Sequence, residues 1–272
     1  MPPPPPGAPG IPPSPGIPPA PGAGYTAYAP GGIAAPQIDV GDSFNWSVKK
    51  FQQYLGPFLT LSGIIVVVQV IRGLLVDHLA NSVGQLTINQ QTGALETTSN
   101  FWGGFVGVLL IGVLFGIVVW LLRIGLLRAA LRTSQGGVPS ISDLTSGHNT
   151  WAYIVTAIVV GLLTGVGFLL CFLPGLAALF FFMFSATHSL DKGAGVGDSL
   201  RWSFEAVKGN VMPVVILVLL SFVIGILGSL FHNIGGVVIS GVLALFVEPF
   251  FALLNANIYR KLGQEPIAPV EA

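Results

Sequence analysis

Six apolar runs constrain this chain more than any other feature. They lie at 57–79, 102–122, 151–173, 175–190, 214–231 and 236–258. Each is close to the twenty or so residues with which an α-helix crosses the hydrocarbon core of a bilayer. In that core the backbone N–H and C=O groups must be satisfied within the segment, so runs of this length are read as helices. Composition leads to the same place. Only 8% of the residues are charged and 52% are apolar, too few charges to cover a soluble domain of this size. The expected fold class is therefore all-α: a polytopic membrane protein with six transmembrane helices.

The placement of charge gives an orientation. Of the 11 Lys and Arg residues, ten fall in four regions. Lys49 and Lys50 precede the first run; Arg123, Arg128 and Arg132 follow the second; Lys192, Arg201 and Lys208 follow the fourth; Arg260 and Lys261 follow the sixth. With six spans these regions share one side, and the positive-inside rule makes that side cytoplasmic. The intervening loops, 80–101, 173–175 and 232–235, hold no Lys or Arg. The expectation is a multi-pass protein of a bacterial inner (plasma) membrane with both termini cytoplasmic. The opening Met1 and five prolines lack the basic-then-apolar layout of a cleaved signal peptide, so insertion is expected to rely on the first span. A net charge of zero argues against nucleic acid as a partner. The single cysteine, Cys171, allows no intramolecular disulfide and reads as a small buried hydrophobe.

A repeat organises the spans. Val40-Gly41-Asp42-Ser43-Phe44-Asn45-Trp46-Ser47, running to Pro57, recurs 156 residues later as Val196-Gly197-Asp198-Ser199-Leu200-Arg201-Trp202-Ser203, running to Pro213. Phe44, Val48, Phe51 and Leu55 align with Leu200, Phe204, Val207 and Val211, one stripe of an α-helix. Each copy reads as an amphipathic interfacial helix turning, near a proline, into a spanning helix. Asp42 and Asp198 are expected as N-caps, and Trp46 and Trp202 at headgroup depth. A looser middle unit starts at Pro139-Ser140, with Ile141, Leu144, His148 and Trp151 on one face, leading into the third span. The result is three parallel hairpin units within a domain over 39–265, unlike the inverted repeats of many transporters. Before it, residues 1–38 are uncharged and hold fourteen of the 21 prolines, so this segment is expected to be a disordered, cytoplasmic, polyproline-like tail, either a docking strand for protein partners or a spacer. A short tail, 266–272, follows the domain.

Asp191-Lys192-Gly193, Ser199-Leu200 with Ser203, Lys208-Gly209-Asn210 and the closing Ile258-Tyr259-Arg260-Lys261-Leu262 resemble a bacterial family of six-helix membrane domains. That family includes the membrane domain fused to some glycerophosphodiester phosphodiesterases. The Pro/Gly-rich tail resembles proline-rich membrane proteins of mycobacteria and related actinobacteria. The resemblance covers roughly residues 40 to 265 and implies no phosphodiesterase activity, since nothing here is large enough for the catalytic barrel. It also brings no established functional residues.

Ionisable residues inside the apolar runs are the first functional candidates. Depths counted from the basic ends place Glu248 at about 15 Å and Arg72 at about 22 Å, so the two are expected to pair, with Gln69 one turn from Arg72 completing the hydrogen bonding. The pair is either a static tie between the first and last units or part of a transport path. Pro249 is expected to kink the sixth span and free carbonyls that a neighbour must satisfy. Glycines 103, 107, 112, 116, 161 and 165 form small-xxx-small pairs suited to close helix packing. Leu173-Pro174-Gly175 and His232-Asn233 read as tight turns. Asp77, His78 and His232 at the outer side, and His188 with Asp191 at the inner, read as ordinary polar groups rather than metal sites. The Gly193–Gly197 stretch follows a span rather than a strand and reads as a hinge. The loop 80–101 alternates around Leu86 and Ile88 in a way that permits a short hairpin. No cofactor and no converging catalytic set is read. The favoured function is a non-enzymatic membrane component that organises lipids, through anionic headgroups, or partner proteins. The alternative is a small transporter or channel-like protein using Arg72 and Glu248.

Overall fold

The computed structural model describes residues 38–82, 86–88, 92–93, 95–97 and 101–270; the proline-rich tail expected over 1–38 lies, apart from Ile38, outside the described residues. The elements in chain order are α1 (Val40–Gln53), α2 (Leu55–Ser82), β1 (Leu86–Ile88), β2 (Leu95–Thr97), α3 (Phe101–Ser134), α4 (Ser142–Thr145), α5 (Thr150–Leu170), α6 (Phe172–Phe181), α7 (Ser185–Lys192), α8 (Val196–Gly209) and α9 (Val211–Leu262). The strands form a minimal antiparallel ribbon with Leu86 opposite Thr97 and Ile88 opposite Leu95.

Among the described residues, five stretches are long and apolar enough to cross a bilayer: Leu55–Leu79, Gly103–Ser134, Thr150–Leu170, Phe172–Lys192 and Gly241–Leu262. A sixth is counted if α8 and Val211–Ile226, set at 102° to each other, form one bent span. The surface agrees with lipid as solvent. Along α3, Leu109, Leu110, Val113, Leu114 and Ile117 are all about half exposed or more, and so continuous an apolar face is not sustained in water. The packed core sits instead towards the basic end, where Phe58, Leu61 and Ile65 of α2 meet Ile124, Ala129 and Ala130 of α3 and Leu253, Leu254 and Ile258 of α9.

The repeat is real in three dimensions. α1 and α8 are both 14 residues long, and each ends at a non-helical residue, Tyr54 or Asn210, before the next helix begins. Pro57 and Pro213 then occupy the first turn of α2 and α9, where a missing N–H leaves no helical bond unmade. The caps differ from expectation. Asp39, whose side chain accepts from the N–H groups of Gly41 (2.7 Å) and Asp42 (3.4 Å), caps α1. Gly195 stands at the N-cap of α8. Asp42 and Asp198 lie one turn in, where their charge still faces the positive end of the helix dipole. After Pro139-Ser140 the helix is only the four residues of α4, which ends where Ser146 turns extended (ψ 121°), and α5 starts after Asn149 in a left-handed conformation (φ 54°).

Three further boundaries depart from the sequence reading. The turn between the third and fourth spans is a single extended residue, Cys171, and Pro174 and Gly175 already belong to α6. Cys171 is exposed, not buried. The fourth span is broken at 182–184 between α6 and α7, and the carbonyl of Phe181 freed there accepts from Ser203 Oγ at 2.7 Å.

The last two expected spans are joined in α9, a single helical element of 52 residues with no break at His232-Asn233. A straight helix of that length would hold its ends about 78 Å apart. Yet Trp202, nine residues before Val211, lies 5.1 Å from Tyr259, ring to ring, and nine residues reach at most about 32 Å. α9 therefore turns back on itself between its arms Val211–Ile226 and Gly241–Leu262.

Pro249 lies inside the second arm and cannot bond the carbonyl of Leu245. Ser62 Oγ of α2 donates to that carbonyl at 2.9 Å, the neighbour that the proline requires. Ser62→Ala is expected to destabilise by about 1–3 kcal/mol, the penalty of an unsatisfied buried acceptor. Restoring the N–H with Pro249→Ala should recover most of that loss in unfolding measurements, and an additive double mutant would refute the link.

Candidate functional site

The densest polar chemistry lies at the basic end, where α3, α7, α8 and α9 meet. Arg260, 2% exposed, sits with its guanidinium edge on the Asp191 carboxylate, Nη2 to Oδ1 at 2.6 Å and Nη1 to Oδ2 at 3.0 Å. Bidentate pairing of this kind orients as well as binds. Tyr259 donates its hydroxyl to the same Asp191 oxygen at 3.1 Å, and Arg260 Nε reaches Ser134 Oγ at 3.3 Å. Glu265 closes the cluster, pairing with Arg260 and, at 2.7 Å, with Lys192. Alongside runs a buried line of hydroxyls, Thr156 to Ser189 (2.7 Å) to Ser199 (2.8 Å), with His188 Nδ1 at 3.3 Å from Ser199. It joins α5, α7 and α8. His188 stacks on Trp202 at 4.5 Å.

The repeated helices share one seating. Ser43 and Ser47 in α1, like Ser199 and Ser203 in α8, are fully buried, while Asp42 and Asp198 are exposed and Trp46 and Trp202 half-buried. The apolar stripe is divided: Phe44 is 42% exposed and Phe204 40%, whereas Val207 is fully buried beside the serines and Phe51 packs against the core. Small hydroxyl side chains thus take the protein-facing side, joined there by Lys50 in α1 and Val207 in α8. Both tryptophans are held by protein contacts. Trp46 Nε1 donates to the Ala268 carbonyl at 2.9 Å, and Trp202 lies between His188 and Tyr259.

Deeper in the bundle, Glu248 does meet Gln69, whose Nε2 donates to Oε1 at 3.1 Å. The expected Arg72 partner does not: Arg123 Nη2 binds that same oxygen at 2.7 Å, and Arg72 is exposed. Arg123 reaches the site because α3 and the second arm of α9 run in the same direction. From the contact between Ser134 and Arg260, Arg123 lies eleven residues back and Glu248 twelve, so the two share a depth. That near-equal count was legible; the pairing of α3 with α9 was not. Glu248 Oε2 is buried with no hydrogen-bond partner among the described residues. Asp191 and Arg260, 69 residues apart, carried no spacing signal at all.

The small-residue pairs divide unevenly. Gly103, Gly112, Gly116, Gly161 and Gly165 face open space, and Gly107 has only Leu79 nearby. Gly161 and Gly165 line an open, mostly apolar groove between α5 and the α6–α7 break, together with Phe168 and Phe182. The close approach falls on Gly167 and Gly175 instead: a Cβ on Gly167 would stand 2.7 Å from the Gly175 Cα. Among the described residues no three His, Cys, Asp or Glu side chains could share a metal. The side chain of His232 lies outside the described residues.

No family model matches the chain, and no solved structure matches it. Uncharacterized proteins of Mycobacterium bovis and Mycobacterium tuberculosis are 28% identical to it over 233 residues, an alignment that covers 83% of this chain and 69% of theirs. Their descriptions carry no activity, and none links the chain to the glycerophosphodiester phosphodiesterase membrane domain.

Proposed function

We propose that this chain is a non-catalytic component of a bacterial inner membrane, built of three parallel hairpin units, that organises lipids or partner proteins at the cytoplasmic leaflet. The observation that carries the reading is the common seating of α1 and α8, serines inward, with Phe44 and Phe204 of the apolar stripe and the cations Lys49, Arg201 and Lys208 exposed. Such a helix inserts its apolar face at the headgroup boundary and offers its cations to anionic lipid, at about 1 kcal/mol per Lys or Arg near the surface. Contacts at the basic end support the three units. Trp46 meets Ala268, Arg260 meets Ser134, Asn149 Nδ2 donates to the Leu190 carbonyl, and Trp202 packs on Tyr259. Those contacts fit a chain that leaves the basic end and returns to it three times. A non-enzymatic role is supported by the state of the acids: Asp143, Asp191, Glu205, Glu248 and Glu265 are all engaged in ion pairs. The tail 1–38 would reach for partner proteins, and the six-helix membrane-domain resemblance belongs to the same proposal.

Native mass spectrometry of the protein extracted from a mixed membrane tests the reading. Phosphatidylglycerol and cardiolipin should be retained above their bulk share, and Lys49→Gln with Lys208→Gln should reduce the enrichment several-fold. Bulk composition on the protein, together with identical pull-downs with and without residues 1–38, would sink it. The orphaned Oε2 of Glu248 favours a second reading, a proton- or cation-binding group in a transport path using Gln69, Glu248 and the Arg72 region. Proteoliposome flux that Glu248→Gln abolishes would replace the first reading with this one; no flux in wild type or variant supports the first.

A further inference from the structure

Beyond Leu262 the chain lies across the basic end as a strap, Gly263–Val270. Glu265 N–H donates to the Arg260 carbonyl at 2.9 Å, Ala268 N–H to the Ser134 carbonyl at 2.9 Å, and the Ala268 carbonyl accepts from Trp46. Pro266 and Pro269 flank Ala268 and keep the segment from joining a helix. None of its side chains belongs to the buried core, so the strap is held by hydrogen bonds and by one carboxylate, that of Glu265.

The place that carboxylate occupies is built for an oxyanion. Asp191 takes one edge of the Arg260 guanidinium, leaving an Nη1 donor that faces Glu265, and Lys192 Nζ converges on the same carboxylate at 2.7 Å. Arg260 and Lys192 set against Asp191 leave one positive charge over, and Glu265 neutralises it. A guanidinium edge beside an ammonium is how proteins hold phosphate as well as carboxylate. The site is also within reach from outside. The side chain of Lys192 is 42% exposed and that of Glu265 27%, whereas that of Arg260 is 2% exposed. Trp202, from the interfacial helix α8, borders the strap at Gly263.

We propose that Glu265 is an internal stand-in for a phosphate-bearing anion, and that an anionic lipid headgroup entering between Lys192 and Arg260 displaces it and releases the strap. The inference rests on the lipid-organising reading above, which puts the basic end at the cytoplasmic leaflet. Release would free Trp46 and Ser134 together, so a headgroup bound against α7 and α9 is felt at α1. The arrangement turns a lipid-binding surface into one that reports which lipid is present.

The full chain carrying Cys171→Ser and Ala268→Cys provides a single thiol on the strap. Its labelling by a membrane-impermeant maleimide is measured in phosphatidylcholine nanodiscs, in phosphatidylglycerol nanodiscs, and in phosphatidylcholine nanodiscs with soluble glycerol phosphate. Labelling should be slow in phosphatidylcholine and about tenfold faster in phosphatidylglycerol. With Glu265→Gln added it should be fast in all three. Acceleration in phosphatidylglycerol alone supports the headgroup as the ligand, whereas equal acceleration by glycerol phosphate supports the same oxyanion site with a soluble source. Equal rates for the parent protein in all three conditions, with Glu265→Gln still fast, overturn the proposal. A Glu265→Gln protein that labels as slowly as its parent overturns it too, because the carboxylate is then not what holds the strap. Failure of the underlying reading registers separately, as a lack of anionic lipid in the native mass spectrum.

Discussion

Arg260→Ala should destabilise the protein by about 3 kcal/mol, the low end of the range for breaking a buried ion pair. The removed guanidinium is 2% exposed and makes four kinds of contact, with Asp191, Glu265, Ser134 and the Tyr259 ring. Its loss leaves Asp191, 7% exposed, with only the Tyr259 hydroxyl and Lys192 at 3.4 Å to answer its charge. Those two partners keep the effect from the top of the range. Arg260→Lys should recover less than half, because an ammonium cannot make the two parallel bonds that fix the carboxylate. Arg260→Met combined with Asp191→Asn should lose less than the two single changes added together, as residues in direct contact do. Unfolding in a denaturing detergent series reads all of these. An Arg260→Ala protein with wild-type resistance would show that the cluster does not hold the basic end together.

Gly167→Ala is expected to lower stability by about 1–3 kcal/mol through overpacking. The added methyl would stand 2.7 Å from the Cα and 2.8 Å from the N of Gly175. Both atoms are backbone, so no side chain can swing aside. Moving α6 away from α5 is the only relief, and the single residue Cys171 that joins them leaves little slack. Gly161→Ala and Gly165→Ala make the control. Neither new Cβ has an atom within 4 Å, and alanine is the better helix former by up to about 1 kcal/mol, so these two should be neutral or slightly stabilising. The same measurement separates the two classes, and a Gly167→Ala protein no weaker than Gly161→Ala would contradict the close approach.

The two glycine sets show why part of the structure was legible and part was not. Gly161 and Gly165 have the right spacing for close packing, but spacing says only that two small residues share a helix face. Whether another helix lies against that face depends on how α5 is rotated, and here the face opens onto a groove. The Glu248 site repeats the lesson. Depth along each helix was readable by counting residues, and Gln69, expected there by its one-turn spacing from Arg72, does meet Glu248. Depth alone could not choose between Arg72 and Arg123, since both lie within reach of the same level.

What the sequence determined by itself are the properties that repeat or accumulate along the chain. These are the run lengths that make helices apolar on every side, the clustering of cations beside particular runs, and a 156-residue offset that reproduces an amphipathic helix, a break and a helix with a proline in its first turn. Hydropathy and period are local quantities, so they survive without knowledge of neighbours. The tertiary structure alone decided which faces meet. It turned the repeat serines inward, divided the apolar stripe between buried Val207 and exposed Phe44 and Phe204, gave Glu248 to Arg123, and drew Asp191, Arg260 and Glu265 into one cluster under a strap. The physical reason is that apolar helices offer one another nearly uniform surfaces. In lipid, where burying apolar area brings little gain, the choice among packings falls to a few polar bonds and small side chains, and their partners lie far away in sequence.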